Sequence, residues 1–140
     1  MAPVEHAEID VSSELKQLRC ARGFVREFCA RAPDPLLDDD SLGALELAVT
    51  EAVSNIIIHA YDRRGDQRIH LKAESFPGCV SFTLRHSGKP FFSSPPSSLP
   101  HASRESGFGI YLIDHNVDGV RYYRDKLGRN CIALLKYSKS

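Results

Sequence analysis

The sequence lacks any run of roughly eighteen consecutive apolar residues, the length a spanning helix needs. Its opening, MAPVEHAEID, has neither a basic start nor an apolar core. Both absences point to a cytoplasmic protein with no membrane partner. Net charge is missing as well, because 18 Lys and Arg balance 18 Asp and Glu. With no overall positive field to gather phosphates, direct nucleic-acid binding is not expected. Cys20, Cys29, Cys79 and Cys131 form no C-x-x-C pair and sit among apolar neighbours, so they read as reduced core-filling thiols and not as a disulfide or zinc framework. His6, His59, His70, His86, His101 and His115 show no H-E-x-x-H or comparable spacing, which argues against a metal held by protein ligands alone. There is no Walker A sequence either.

What is present suits one domain over 1–140 with one core, in a chain that is 42% hydrophobic and 26% charged. Its most ordered pattern is LELAVTEAVSNIIIHAY, Leu45 to Tyr61. At 100° per residue, Leu42, Leu45, Val49, Val53, Ile56 and Ala60 share a face, which predicts an amphipathic helix on a core. Nearly opposite runs a second lane in which Glu51 and Asn55, one turn apart, are inset among Ala44, Leu47 and Ala48, with His59 at its edge. A solvated lane would be rich in Lys and Glu. This one carries a single carboxylate and a single amide, either an incidental pair or one aimed at a ligand.

Around that helix the chain alternates in character. Val4 to Val11 predicts a short strand, followed by a helix capped by Ser12 or Ser13 and ended by Pro33 and Pro35. Leu15, Leu18, Ala21, Val25 and Phe28 give this helix a core face, and Arg19, Arg22 and Arg26 an outer one, which is either a plain solvated surface or a dock for an acidic partner. Asp38, Asp39 and Asp40 complement the dipole of the next helix, with Asp40 or Ser41 as cap. Ile69, Leu71 and Ala73, then Val80, Phe82 and Leu84, alternate on either side of Phe76-Pro77-Gly78 and predict a hairpin. Val120 and Tyr122 begin a second hairpin, whose closing strand has Cys131, Ala133, Leu135 and Tyr137 facing one way.

Between the hairpins lies HSGKPFFSSPPSSLPHASRES, rich in serine and proline and too aperiodic for a regular element. A loop of this length in a small domain is commonly a lid or binding loop, though a passive loop is the plain alternative. Gly107-Phe108-Gly109 then opens a helix, and glycine amides at a helix start suit a phosphate. A dinucleotide-binding reading fails, because the third glycine is missing and no strand precedes.

The phrase TEAVSNIIIHAYD at 50–62 resembles the N-box of the histidine-kinase-like ATPase superfamily, which joins gyrase, chaperone, histidine kinase and mismatch-repair ATPases. It is most similar to the anti-sigma-factor serine kinase branch. SGFGIYLI resembles the second glycine box of that superfamily, and NCIALLK its last strand, with Gly128 displaced by one place. The likeness spans roughly 10–137. It implies an α+β fold, a two-layer α/β sandwich of a mixed, mainly antiparallel sheet with helices on one face. It also implies an ATP and Mg²⁺ site closed by a lid at about 88–106. Glu51 would be the general base and Asn55 the magnesium ligand, with His59, His86, Gly88, Gly107, Phe108, Gly109 and Asn130 around the nucleotide. A sigma factor and an anti-sigma antagonist are the implied partners, and a homodimer the implied assembly.

The clearest departure from the family pattern is at His86. Where the family carries Asp-x-Gly, whose carboxylate accepts from the adenine amino group, this chain has His86-Ser87-Gly88. Exchanging a charged acceptor for a neutral one weakens binding by about tenfold. An imidazole titrating at about 6.5 would also change from acceptor to donor between pH 8 and 6. Two functions follow: an ATP-dependent serine kinase that binds a sigma factor, or a degenerate module that only sequesters a regulator.

Overall fold

A computed structural model describes residues 2–32, 37–89 and 105–138 and, for residues 105–110, the backbone alone. Strand β1, Glu5–Ser12, leads through a 3-10 turn, Leu15–Gln17, into α1, Leu18–Arg31. Helix α2, Asp39–Asn55, continues as a π turn, Ile56–Ala60, and is followed by the hairpin β2, Arg68–Phe76, and β3, Cys79–His86. Helix α3, Glu105–Asn116, and the hairpin β4, Gly119–Arg124, and β5, Asn130–Tyr137, complete the chain. The five strands form one sheet in the order β1-β2-β3-β5-β4. Every described pairing is antiparallel, where the sequence allowed for a mixed sheet.

The alternation read from β2 and β3 matches their burial. Register pairs Leu71 with Leu84 and Ala73 with Phe82, all buried on the face that meets the helices. Phe24 and Phe28 of α1 stand edge-on to Phe82 at 6.0 and 5.9 Å between centroids, an arrangement favoured by ring quadrupoles. Leu45, Val49 and Val53 of α2 and Ile56 of the π turn join the same core, as does Ile113 of α3. Each such burial contributes about 1.5–3 kcal/mol. The 22 residues Asp39–Ala60 are long and apolar enough in composition to cross a membrane, yet half of that stretch is buried against the sheet and its neighbours.

Local chemistry differs from the sequence reading in three places. Asp38, not Asp40 or Ser41, caps α2, its carboxylate accepting from the Ser41 amide at 2.7 Å. Neither Ser12 nor Ser13 caps α1. The Ser13 hydroxyl donates to the Arg64 carbonyl and accepts from the Gln67 amide, tying the start of α1 to the turn before β2. In β5 the set read as facing one way does so: Cys131, itself buried, Ala133 and Leu135 share the open face of the sheet, and Ile132 and Leu134 take the core side. Cys20 is exposed, unlike the buried Cys29 and Cys131. Pro33 and Pro35 lie outside the described residues.

The displaced glycine of the last hairpin has a local reason. Gly128 adopts φ +81°, a left-handed conformation that side chains disfavour. The Asp125 carboxylate accepts from the amides of Leu127 and Arg129 at 3.0 and 2.9 Å. The turn therefore fixes glycine at 128 and leaves Arg129 to bond Asp125 through its side chain at 2.8 Å.

Candidate functional site

Helix α2 carries the first part of the site. Asn55 is 5% exposed, and its Nδ2 is buried with no hydrogen-bond partner among the described residues. An unpaired buried amide of this kind costs about 1–3 kcal/mol, so a helix under selection for packing alone would replace it. One turn earlier Glu51 is half-buried, and loss of solvent pushes its carboxyl up from the ordinary value. The lane read as inset is inset: Ala48 is fully buried and Ala44 half-buried, and only Leu47, at 39%, is exposed.

Immediately after Asn55 the helix widens into the π turn, a form that recurs at functional sites. Tyr61 N–H donates to the Ile56 carbonyl at 3.0 Å, and Asp62 and Arg63 then take left-handed φ of 51° and 63°. His59 sits half-buried within this turn. The widening presents the Ala60 carbonyl to the chain leaving β3, where it accepts from the Lys89 amide at 2.9 Å. Gly88 passes so close that only a glycine fits beside that carbonyl. Tyr61 adds a second tie, its hydroxyl accepting from the Ser87 amide at 2.8 Å and donating to the Arg68 carbonyl at 2.9 Å. Lys89 also pairs with Asp62 at 2.7 Å.

His86, Gly88 and Asn130 form the second part. His86 is directly across from Asn130 in the β3–β5 register. The Asn130 amide donates to the Gly88 carbonyl at 2.9 Å, and the Gly88 amide donates to His86 Nδ1 at 3.1 Å. Because Nδ1 accepts, the ring proton is on Nε2. Burial to 3% exposure pushes His86 down to about 4, so it is neutral at both pH 8 and pH 6. The expected acceptor-to-donor change over that range is therefore overturned: burial keeps the ring neutral, and its acceptor nitrogen already serves Gly88.

Helix α3 packs against α2 and brings the third part. It begins at Glu105, two residues earlier than the glycine pattern indicated. The free amides of its first turn thus extend through Gly107, while Gly109 falls just beyond them. The side chain of Phe108, and residues 90–104 of the expected lid, lie outside the described residues.

Sequence reasoning missed the π turn and the Tyr61, Asp62 and Lys89 ties. The adjacency of Ala60 and Gly88 leaves no periodic signal; the only hint was glycine two residues after a strand.

Residues 11–136 match the family model described as histidine kinase-like ATPase domain. The chain belongs to that family. An anti-sigma F factor of Clostridium botulinum (strain Eklund 17B / Type B) is 32% identical over 111 residues, covering 76% of each chain. A serine-protein kinase RsbW of Staphylococcus epidermidis is 29% identical over 110 residues, covering 71% of this chain and 68% of the relative. A crystal structure of the RsbU and RsbW domains of Rv1364c from Mycobacterium tuberculosis superposes with a TM-score of 0.67 at 18% identity. It covers 97% of this chain, which spans 33% of the mycobacterial one, and supports the two-layer α+β fold.

Proposed function

We propose that this chain is an ATP-binding anti-sigma regulatory factor with protein serine/threonine kinase activity, acting in the cytoplasm as a single domain over 1–140. The observation that carries the reading is Asn55, a buried amide whose Nδ2 has no partner among the described residues, one turn from a half-buried Glu51. Its carbonyl oxygen would be the hard neutral donor that holds Mg²⁺. Bound Mg²⁺ would neutralise charge on the nucleotide phosphates.

The remaining roles belong to the chain itself. Glu51, its basicity raised by burial, takes the proton of a partner's serine hydroxyl as general base. Amides of the α3 first turn, Gly107 among them, hold phosphate oxygens, with Phe108 and Gly109 beside them. His86, Gly88 and Asn130 define the base end, His59 borders the N-box lane, and the segment of about 88–106 acts as lid. Lys89, bonded to the Ala60 carbonyl, fixes where that segment leaves the sheet.

The names of the relatives support a sigma factor and an anti-sigma antagonist as partners. Exposed Arg19 and Arg22 on α1 offer a surface for an acidic partner, and a homodimer is the assembly to test. Transfer of labelled γ-phosphate from ATP to a serine of a co-purified partner tests the reading. Binding of Mg-ATP without any transfer would leave a nucleotide-dependent sequestering module, and no binding at all would reject the assignment.

A further inference from the structure

The open face of the sheet carries a side-chain cluster that the nucleotide site does not use. His70 of β2 is bonded through Nε2 to the Glu8 carboxylate at 2.6 Å and through Nδ1 to the Asp10 carboxylate at 2.9 Å. Both acids belong to the edge strand β1, and Asp10 is directly opposite His70 in register. The His70 side chain is only 17% exposed, while the two carboxylates are nearly half exposed. An ionised carboxylate can only accept, so a ring with a carboxylate oxygen on each nitrogen satisfies both contacts only as the doubly protonated imidazolium. The hydrogen bond to His70 holds the Glu8 carboxyl below its usual range, as that charge arrangement requires.

We propose that His70 is a proton-dependent clasp that fastens edge strand β1 to the sheet, closed when the ring carries two protons and half-open when it carries one. Neutral His70 keeps the shorter bond, Nε2–H to Glu8, and turns a lone pair toward Asp10, which loses its partner. The end of β1 that runs into α1 is then held by its backbone ladder and by Val11 in the core. The other charged groups around the ring are His6 on β1, Lys72 and Glu74 on β2, and Arg85, which is opposite His70 on β3. Lys72 and Glu74 pair with each other at 3.7 Å. Arg85 and Lys72 oppose the single positive charge that the second proton brings to the ring, so the clasp closes on the strength of Glu8 and Asp10 together.

Nitrogen-15 spectra of the intact protein decide the matter. Followed across the range in which the protein stays folded, the His70 ring should pass from two protonated nitrogens at the acid end to Nε2 alone at the alkaline end. Amide exchange near Asp10, corrected for the intrinsic rate, should become several-fold faster at the alkaline end than at the acid end in wild type. His70→Gln and Asp10→Asn should each remove that dependence while the nucleotide site, on the other side of the sheet, keeps its affinity. A ring that carries a single proton throughout that range overturns the proposal, and so does an unchanged pH dependence in the folded variants. If a variant fails to fold, the wild-type ring spectrum alone decides. None of these outcomes depends on whether the chain is a kinase.

Discussion

A Cβ built on Gly88 would stand 2.6 Å from the carbonyl oxygen of Ala60, closer than such atoms approach. That oxygen faces Gly88 because the π turn carries it there, and the bond from Lys89 holds it in place. The end of the N-box helix and the exit from β3 are thus fitted to each other chiefly through the Ala60 backbone, with a Tyr61 ring carbon 2.9 Å from the same point. Gly88→Ala should destabilise the fold by about 1–3 kcal/mol, the range for overpacking. Chemical denaturation measures it, and a loss near zero would mean that the two segments separate freely.

His86 has a consequence for stability. Its folded value of about 4 lies below the ordinary value near 6.5, so the unfolded chain binds the extra proton first as pH falls. Its contribution is complete above about 6.5 and is lost between there and about 4, amounting to roughly 3 kcal/mol. Denaturation midpoints at pH 7, 5.5 and 4.5 should fall in that order, and His86→Gln should flatten the trend. Nucleotide affinities, by contrast, should change by less than about twofold between pH 8 and 6, for ATP and GTP alike, because the ring stays neutral. A larger change over that range would show that His86 titrates in the folded protein well above 4.

Glu51→Gln preserves size and removes the proton acceptor. Transfer to a partner serine should fall by about 10²–10⁴-fold, with Mg-ATP affinity little altered. Equal rates for the two proteins would remove Glu51 from the chemistry.

Asp38→Ala removes the one side-chain cap on α2 and should cost about 1 kcal/mol. Asp40→Ala should cost less, since Asp40 contributes only through the helix dipole. Thermal unfolding of the two variants distinguishes them, and an equal loss would argue that the cap is shared.

These contrasts mark where sequence was readable. Periodicity placed Leu45, Val49 and Val53 in the core and set Glu51 and Asn55 apart, since a helix repeats every 3.6 residues whatever its partners. Three consecutive aspartates are all competent caps, so geometry alone could choose Asp38. In β5 both alternations are apolar, and Ile132 with Leu134 took the core that Cys131, Ala133 and Leu135 matched equally well in pattern. The π turn was hidden because a shifted backbone hydrogen bond leaves no mark on IIIHA. The protonation of His86 was hidden for another reason: burial and the approach of Gly88 are tertiary facts.

The central claim is that the buried Asn55 amide exists for a magnesium-bound nucleotide. Calorimetric titration of wild type and Asn55→Ala with ATP, with and without Mg²⁺, tests it most directly. Wild type should bind one nucleotide with marked magnesium dependence. Asn55→Ala should lose that binding without losing unfolding stability in the absence of ligand, because removing a buried Nδ2 that is unpaired among the described residues relieves a desolvation cost that offsets the packing lost. Wild-type affinity for Mg-ATP in the Asn55→Ala protein would contradict the account.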